Sequence, residues 1–259
     1  MSEQVSIEEY HASERISSSK LRTFMALGPR AYYLRHVLKS NVLKASKPMI
    51  VGQAFEEAIC GRETFKVIEG DGRTKLVKQQ KAEAEAEGKL VITGEHADFM
   101  RFGVENVRAN PAAKELIEGA FEQPTMYADF DGLPGLQARP DWGTPSGRFP
   151  DLKTTGNLDK FSRSVVDFGY HMQAGIVRMC ARASGMPETD HPLIVVERDW
   201  PYRCQVMRLS DEYVELGVAE ATKHLNRMAD CFTSGEWQFC DAERLLEPPK
   251  WLLERNETK

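Results

Sequence analysis

An α/β domain around a mixed sheet is the fold class this sequence predicts, and three observations predict it. Helical periodicity fills the first part of the chain. Three short strand patterns, set apart by Gly- and Pro-rich turns, lie in the middle. Helices then alternate with two more strands before a long closing helix. At 259 residues the chain can bury a sizeable core. Neither an internal repeat nor an interdomain linker interrupts the order, so one domain over 1–259 is expected, with a helical elaboration over about 1–120 ahead of a core from about 121.

The elements follow in order. Ile16-Ser-Ser-Ser-Lys-Leu-Arg-Thr-Phe-Met-Ala-Leu opens with residues that favour a helix N-cap and continues at helical spacing. Leu21, Phe24, Met25 and Leu27 would form its buried face. Gly28-Pro29 interrupts, and Ala31 to Leu38 reads as another helix. From Val51, Gly-Gln-Ala-Phe-Glu-Glu-Ala-Ile reads as a short helix carrying Glu56 and Glu57. Residues 75 to 89 favour helix but have almost no apolar stripe, which predicts an exposed or mobile helix. Thr93 can cap a helix running through Val107, and Pro111 to Ile117 adds a turn or two. Tyr127 to Trp142 reads as strand, turn, strand, and Arg148 to Thr155 as a third strand after the Ser146-Gly147 turn. Leu158 to Phe168 and Tyr170 to Ala183 are two helices parted at Gly169. His191 to Glu197 is an apolar strand, which Cys204 to Leu209 pairs with after Pro201. Ser210 caps a helix to about Phe232, and the tail from Glu247 is extended.

Composition narrows the function classes. No apolar run approaches the roughly 20 residues that span a bilayer, and Met1-Ser-Glu-Gln-Val does not read as a signal peptide. The five cysteines, Cys60, Cys180, Cys204, Cys231 and Cys240, are scattered, with no C-x-x-C. A reduced, cytoplasmic protein without a membrane role is the expectation. The net charge of −5 excludes an indiscriminately basic DNA coat. Yet between Arg15 and Phe55 stand eight Lys or Arg (Arg15, Lys20, Arg22, Arg30, Arg35, Lys39, Lys44, Lys47) and no Asp or Glu. Such a segment either grips a polyanion locally or forms a solvated helix face neutralised from elsewhere in the fold.

Chemistry concentrates in Arg139-Pro140-Asp141, a gap of nine residues, and Asp151-Leu152-Lys153. Alternation along a strand puts Asp151 and Lys153 on one face and Leu152 on the other. A hairpin that brings Asp141 beside them would gather two carboxylates and an ammonium. Two carboxylates suit a hard cation such as Mg²⁺, and a nearby lysine can act on a metal-bound water. On spacing alone, a polar hairpin with a surface ion pair is the commoner reading. The strand context shifts the balance, because three adjacent strands would place these residues together.

Five segments carry a family resemblance in their order: Ile16-Ser-Ser-Ser-Lys-Leu, Gly52-Gln-Ala-Phe, Ala138-Arg-Pro-Asp-Trp, Asp151-Leu-Lys-Thr-Thr and Tyr170-His-Met-Gln-Ala. Glu197-Arg-Asp-Trp-Pro-Tyr and Pro249-Lys-Trp also fit. The chain resembles the PD-(D/E)XK nuclease superfamily and, within it, the RecE-like, exodeoxyribonuclease VIII-like group of phages and prophages. The resemblance implies a restriction-endonuclease-like αβββαβ core. It implies metal ligation by Asp141, Asp151 and the Leu152 carbonyl, with Mg²⁺ replaceable by Mn²⁺. Lys153 matches the superfamily's lysine, and Tyr170 and Gln173 a pair expected near the scissile phosphate. Where the group usually has a metal-binding His, this chain has Glu56, still a hard oxygen ligand; Glu57 is the next candidate. Gln137 replaces a frequent Lys.

The implied activity is a Mg²⁺-dependent 5′-to-3′ exonuclease that degrades one strand of linear duplex DNA for phage recombination. It would act with a single-strand annealing protein, as a ring-like homo-oligomer, a trimer or tetramer. Arg22, Arg30, Arg35 and Arg139 are the expected DNA contacts. A structure-specific or restriction-type endonuclease of the same superfamily, and a catalytically decayed DNA-binding homologue, are the alternatives.

Overall fold

The computed structural model describes residues 5–40, 46–238 and 245–249; Lys44, Cys240 and the Lys250-Trp251 part of the closing motif lie outside them. Helix α1 (Ile7–Ala12) starts with a reciprocal cap. The Ser6 hydroxyl accepts the Glu9 N–H, and the Glu9 carboxylate accepts the Ser6 N–H. Ser17 caps α2 (Ser18–Leu27), which buries Leu21 and Phe24. Leu27, expected inside, is exposed, because it sits on the last turn before Gly28 (φ 86) redirects the chain. Pro29 then starts α3 (Pro29–Tyr32), prolonged by a wider turn over Tyr33–Val37.

Helix α4 (Lys47–Ile59) is longer than its motif suggested and buries Val51, Ala54, Phe55 and Ile59. Two strands follow that periodicity did not predict, β1 (Phe65–Ile68) and β2 (Leu90–Thr93). They pair in parallel, with α5 (Lys75–Ala86) as the crossover. Only Val77 and Ala84 of α5 are buried, a stripe seven residues apart, so most of this helix faces outward. Thr93 both ends β2 and stands at the N-cap of a helical run from Gly94 through Ala109, as expected, although its side chain makes no cap bond. A tight helical turn (Gly94–His96) and a wider one (Phe99–Gly103) continue into α6 (Val104–Ala109), and Asn110 caps α7 (Pro111–Ile117) through the Ala112 and Ala113 N–H groups.

The middle of the chain forms β3 (Phe121–Glu122), β4 (Met126–Ala128), β5 (Leu136–Ala138), β6 (Trp142–Gly143) and β7 (Asp151–Thr155). Beyond them lie α8 (Phe161–Asp167), α9 (Tyr170–Ala183), β8 (Pro192–Glu197), β9 (Cys204–Arg208) and α10 (Asp211–Ser234). β4 and β5 make an antiparallel hairpin, and β3 pairs with β6. β7 runs parallel to β8, which is antiparallel to β9, so this sheet is mixed, as predicted. One expectation fails. The three mid-chain strands do not share a ladder, because β7 spends its ladder bonds on β8, β6 pairs with β3, and the link between β6 and the start of β7 is a single bond. That bond runs from the Trp142 N–H to the Pro150 carbonyl, just ahead of β7, at 3.2 Å.

The two larger apolar cores among the described residues straddle this arrangement. One packs α2, α9 and α10 against the β4–β5 hairpin, through Phe24, Leu136, Ile176, Leu225 and others. The second packs α4, α6 and α7 on the mixed sheet, with Phe55 stacked on Phe99 and Trp142, Ile194 and Val196 beside them. All six β8 residues are buried, the mark of a central strand. Helices α9 and α10 meet at glycines. A Cβ on Gly217 would overlap the His171 carbonyl, and one on Gly175 would come within 2.6 Å of the Gly217 backbone. Among the described residues no helix is long and apolar enough to cross a membrane.

Candidate active site

Three local features place the site. Strand alternation on β7 sends Leu152 into the core around Phe55 and Trp142 and turns Asp151 and Lys153 toward α9. Gly169 (φ 65) ends α8 and redirects the chain into α9, so that Tyr170 and Gln173 face those residues. The Asp141 loop between β5 and β6 covers the free edge of β7.

The contacts are specific. Gln173 Nε2 donates to Asp151 Oδ1 at 2.8 Å, and Lys153 Nζ is ion-paired with Asp151 Oδ2. Lys153 Nζ also lies 4.8 Å from the centre of the Tyr170 ring. The Leu152 N–H donates to Asp141 Oδ2 at 2.6 Å. In a strand the N–H and C=O of one residue point to the same side, so the Leu152 carbonyl lies on the edge that Asp141 covers. Glu56, on the inner side of α4, accepts from Gln123 Nε2 at 2.7 Å and lies near Asp141. Glu57 is turned elsewhere, paired with Arg62 at 2.5 Å and bonded by the Thr64 hydroxyl.

Electrostatics show what this gathering costs. Burial, then the neighbouring Asp141 charge, pushes the Glu56 carboxyl up to about 7. Burial also raises Asp141, against the pull of Lys153 and the Leu152 N–H. Lys153 is pushed down to about 8 by burial, with Arg22 adding to the shift and Asp141 opposing it. Three carboxylates thus converge with a single ammonium. Among the described residues no three His, Cys, Asp or Glu are drawn together closely enough to cage a metal ion as they stand. Each carboxylate is held by protein donors instead. The donor chemistry nevertheless fits a hard divalent cation: Glu56, Asp141, Asp151 and the Leu152 carbonyl are all oxygen donors, with an excess of negative charge.

The expected DNA contacts divide. Arg22 is exposed beside the site, its Nη1 bonded to the Phe168 carbonyl at 3.2 Å. It lines a pocket of about 210 Å³ with Ser19, Phe168, Gly169 and Gln173. Arg30 lies over the Tyr33 ring at 5.6 Å, and Arg35 is half-buried. Arg139 is used internally. Its Nη1 donates to the Val5 carbonyl at 2.8 Å and its Nη2 to Gln123 Oε1 at 3.0 Å, which leaves little of it for a phosphate. Gln137, where the resemblance expects a Lys, is buried and donates to the Tyr10 carbonyl. Two of the eight cations between Arg15 and Phe55 also turn inward, Arg15 onto the Ala128 carbonyl and Lys20 onto those of Ser13 and Arg15. The basic segment is thus partly scaffold. Gln123 was missed, and no motif in the sequence marks it.

Acidic residues before and on an edge strand, with a lysine two positions on, thus stand together beside α9. A family model for PDDEXK-like domains of unknown function (DUF3799) matches residues 17–243, and the chain belongs to that family. It is thereby a member of the PD-(D/E)XK nuclease superfamily. The crystal structure of a presumed exonuclease from Eubacterium rectale superposes with a TM-score of 0.66 at 15% identity, over 98% of each chain, and shares the fold. An alkaline exonuclease from Laribacter hongkongensis matches more loosely, with a TM-score of 0.31 at 14% identity over 69% of this chain and 95% of that one. No functionally curated protein matches significantly.

Proposed function

We propose that this protein is a Mg²⁺-dependent 5′-to-3′ exonuclease acting on the ends of linear duplex DNA. The observation that carries the reading is the convergence of Glu56, Asp141, Asp151, Lys153 and Gln173 at one edge of β7. Mg²⁺, or Mn²⁺ in its place, supplies Lewis-acid polarisation of the phosphate and a water acidified enough to attack it. Asp141, Asp151, Glu56 and the Leu152 carbonyl would hold the ion. Lys153, with its proton affinity lowered by burial, would in its neutral form take the attacking water's proton at Nζ and then, as an ammonium, face the charge that develops on the phosphate. Gln173 fixes Asp151 while presenting the rest of its amide to the Arg22 pocket. Tyr170 braces the Lys153 ammonium with its ring face. Arg22 is the nearest exposed cation for a backbone phosphate.

Polarity, duplex preference and recombination belong to the same proposal, as do a single-strand annealing partner and a ring-like homo-oligomer. They rest on the resemblance of the ordered motifs to RecE-like enzymes. The test is digestion of 5′- or 3′-labelled linear duplexes and of closed circles, with Mg²⁺ or EDTA. Loss of the 5′ label from linear DNA alone, abolished by EDTA, is the expected result. Cleavage of the circle would make the protein an endonuclease of the same superfamily. Binding without cleavage would make it a decayed homologue.

A further inference from the structure

We infer that Gln123 is a positioning residue for the candidate metal centre, itself set by Arg139, which thereby ties the N-terminal segment to the site. The inference rests on the proposed metal-assisted reading and concerns a residue outside the motif set.

Gln123 acts on both sides of the site at once. Its backbone N–H donates to the Asp141 carbonyl at 2.9 Å, holding the loop that carries one carboxylate. Its side-chain amide donates through Nε2 to Glu56 Oε1 at 2.7 Å, holding the other. An amide can do this only if its oxygen faces away from Glu56, and Arg139 enforces that choice. Arg139 Nη2 donates to Gln123 Oε1 at 3.0 Å, and a guanidinium has no acceptor, so the Gln123 amide cannot flip. With one Glu56 oxygen occupied by the amide, the second is left for a cation. This is the relation of an outer partner to a ligating carboxylate.

The backbone supports the reading. Gln123 has φ 46, in the left-handed region that glycine and asparagine usually fill. A long polar side chain held there marks a position where the surroundings override local preference. Pro124, Thr125 and Met126 after it are buried and β4 follows directly, so the neighbours fix the strained residue. The other end of the relay is equally defined. Arg139 Nη1 donates to the Val5 and Ser6 carbonyls at 2.8 and 3.3 Å, and its guanidinium lies 5.6 Å from the Tyr10 ring centre. The segment entering α1 is thus two side chains away from Glu56.

The experiment compares the full-length protein with Gln123→Glu and Gln123→Gly. Gln123→Glu keeps the size and the Arg139 bond but removes the donor to Glu56. Gln123→Gly removes the amide while suiting the left-handed backbone, so relief of the backbone strain offsets part of the lost hydrogen bonds and the protein stays folded. Mn²⁺ binding is measured by calorimetry, and the Mg²⁺ concentration for half-maximal cleavage alongside it. Both variants should bind Mn²⁺ about tenfold more weakly and need correspondingly more Mg²⁺, with the KM for DNA unchanged. Arg139→Gln should move the metal response in the same direction. Folded Gln123→Glu and Gln123→Gly proteins with the parent's Mn²⁺ affinity would overturn the inference while leaving the proposed activity standing. A parent protein that binds no Mn²⁺ at all would overturn both together.

Discussion

Helix α9 carries two polar clusters five residues apart, and they are balanced differently. At Arg178 the account closes: the one buried carboxylate, Glu188, accepts from Nε at 2.9 Å, while Glu215 and Asp211, which accept from Nη1 and Nη2 at 2.7 Å, are more than half exposed and solvated by water. Glu188 in turn accepts from His191 at 2.9 Å. At Gln173 it does not close. Asp151, Asp141 and Glu56 face one ammonium, and Glu56 and Asp141 are both raised toward their neutral forms. A buried charge matched by its neighbours contributes to the fold. A buried charge left in excess is held against its own preference by the rest of the structure, and that is where an exogenous cation has something to neutralise.

The widest separation between the clusters comes from one substitution in each. Asp151→Asn keeps the volume and the Gln173 contact but removes a charge that holds the cation. Turnover should fall by about a thousandfold or more while the melting temperature holds. Arg178→Met should do the reverse. It leaves Glu188 buried without its guanidinium and should cost about 3–5 kcal/mol of stability, with activity per folded molecule retained. Urea unfolding and cleavage rates on the same preparations test both. Near-normal turnover in Asp151→Asn, or an undiminished stability in Arg178→Met, would break the distinction.

Lys153→Ala sharpens it within the active cluster. Lys153 faces the site from the same strand face as Asp151 and is poised by burial near 8. Its loss should lower the rate at saturating DNA by about 10²–10³-fold and leave DNA affinity largely unchanged. Single-turnover kinetics beside equilibrium binding separates the two. If affinity fell and the saturated rate held, Lys153 would be a phosphate clamp and no part of the chemistry.

What could be read from the sequence follows the range of the interaction that decides it. Asp141, Asp151 and Lys153 were legible because strand alternation and one turn bring them together, all within a short stretch of chain. The caps at Ser17 and Ser210 and the break at Gly169 were legible because they are local. β1 and β2 were not, since four-residue strands carry little periodicity and their partner helix α5 buries only two side chains. Arg139 was assigned to DNA by its charge, but its use is set by the Val5 carbonyl, 134 residues away in sequence. Gln123 gave no signal, because its backbone conformation is imposed by neighbours that no local pattern encodes.

Lys20 extends the comparison to a third kind of buried charge, one matched by dipoles alone. Its ammonium donates to the Ser13 and Arg15 carbonyls, and the residue is only 7% exposed. Burial, with Lys39 adding to it and Glu14 opposing, lowers its pKa from 10.5 to about 8. The folded protein therefore releases this proton before the unfolded chain does. Between about pH 8 and 10.5 the unfolded state binds more protons, so stability rises with pH across that window. Below pH 8 both states are charged, and the penalty for burying the ammonium is constant. In Lys20→Met the titration is gone while all other groups remain. The difference in unfolding free energy, parent minus variant, should be flat below pH 8 and shift in the parent's favour up to pH 10.5. Urea unfolding at half-unit pH steps measures it. A difference that stayed flat throughout would mean that two backbone carbonyls stabilise an ammonium as well as water does, and the line drawn between matched and unmatched buried charge would have to move.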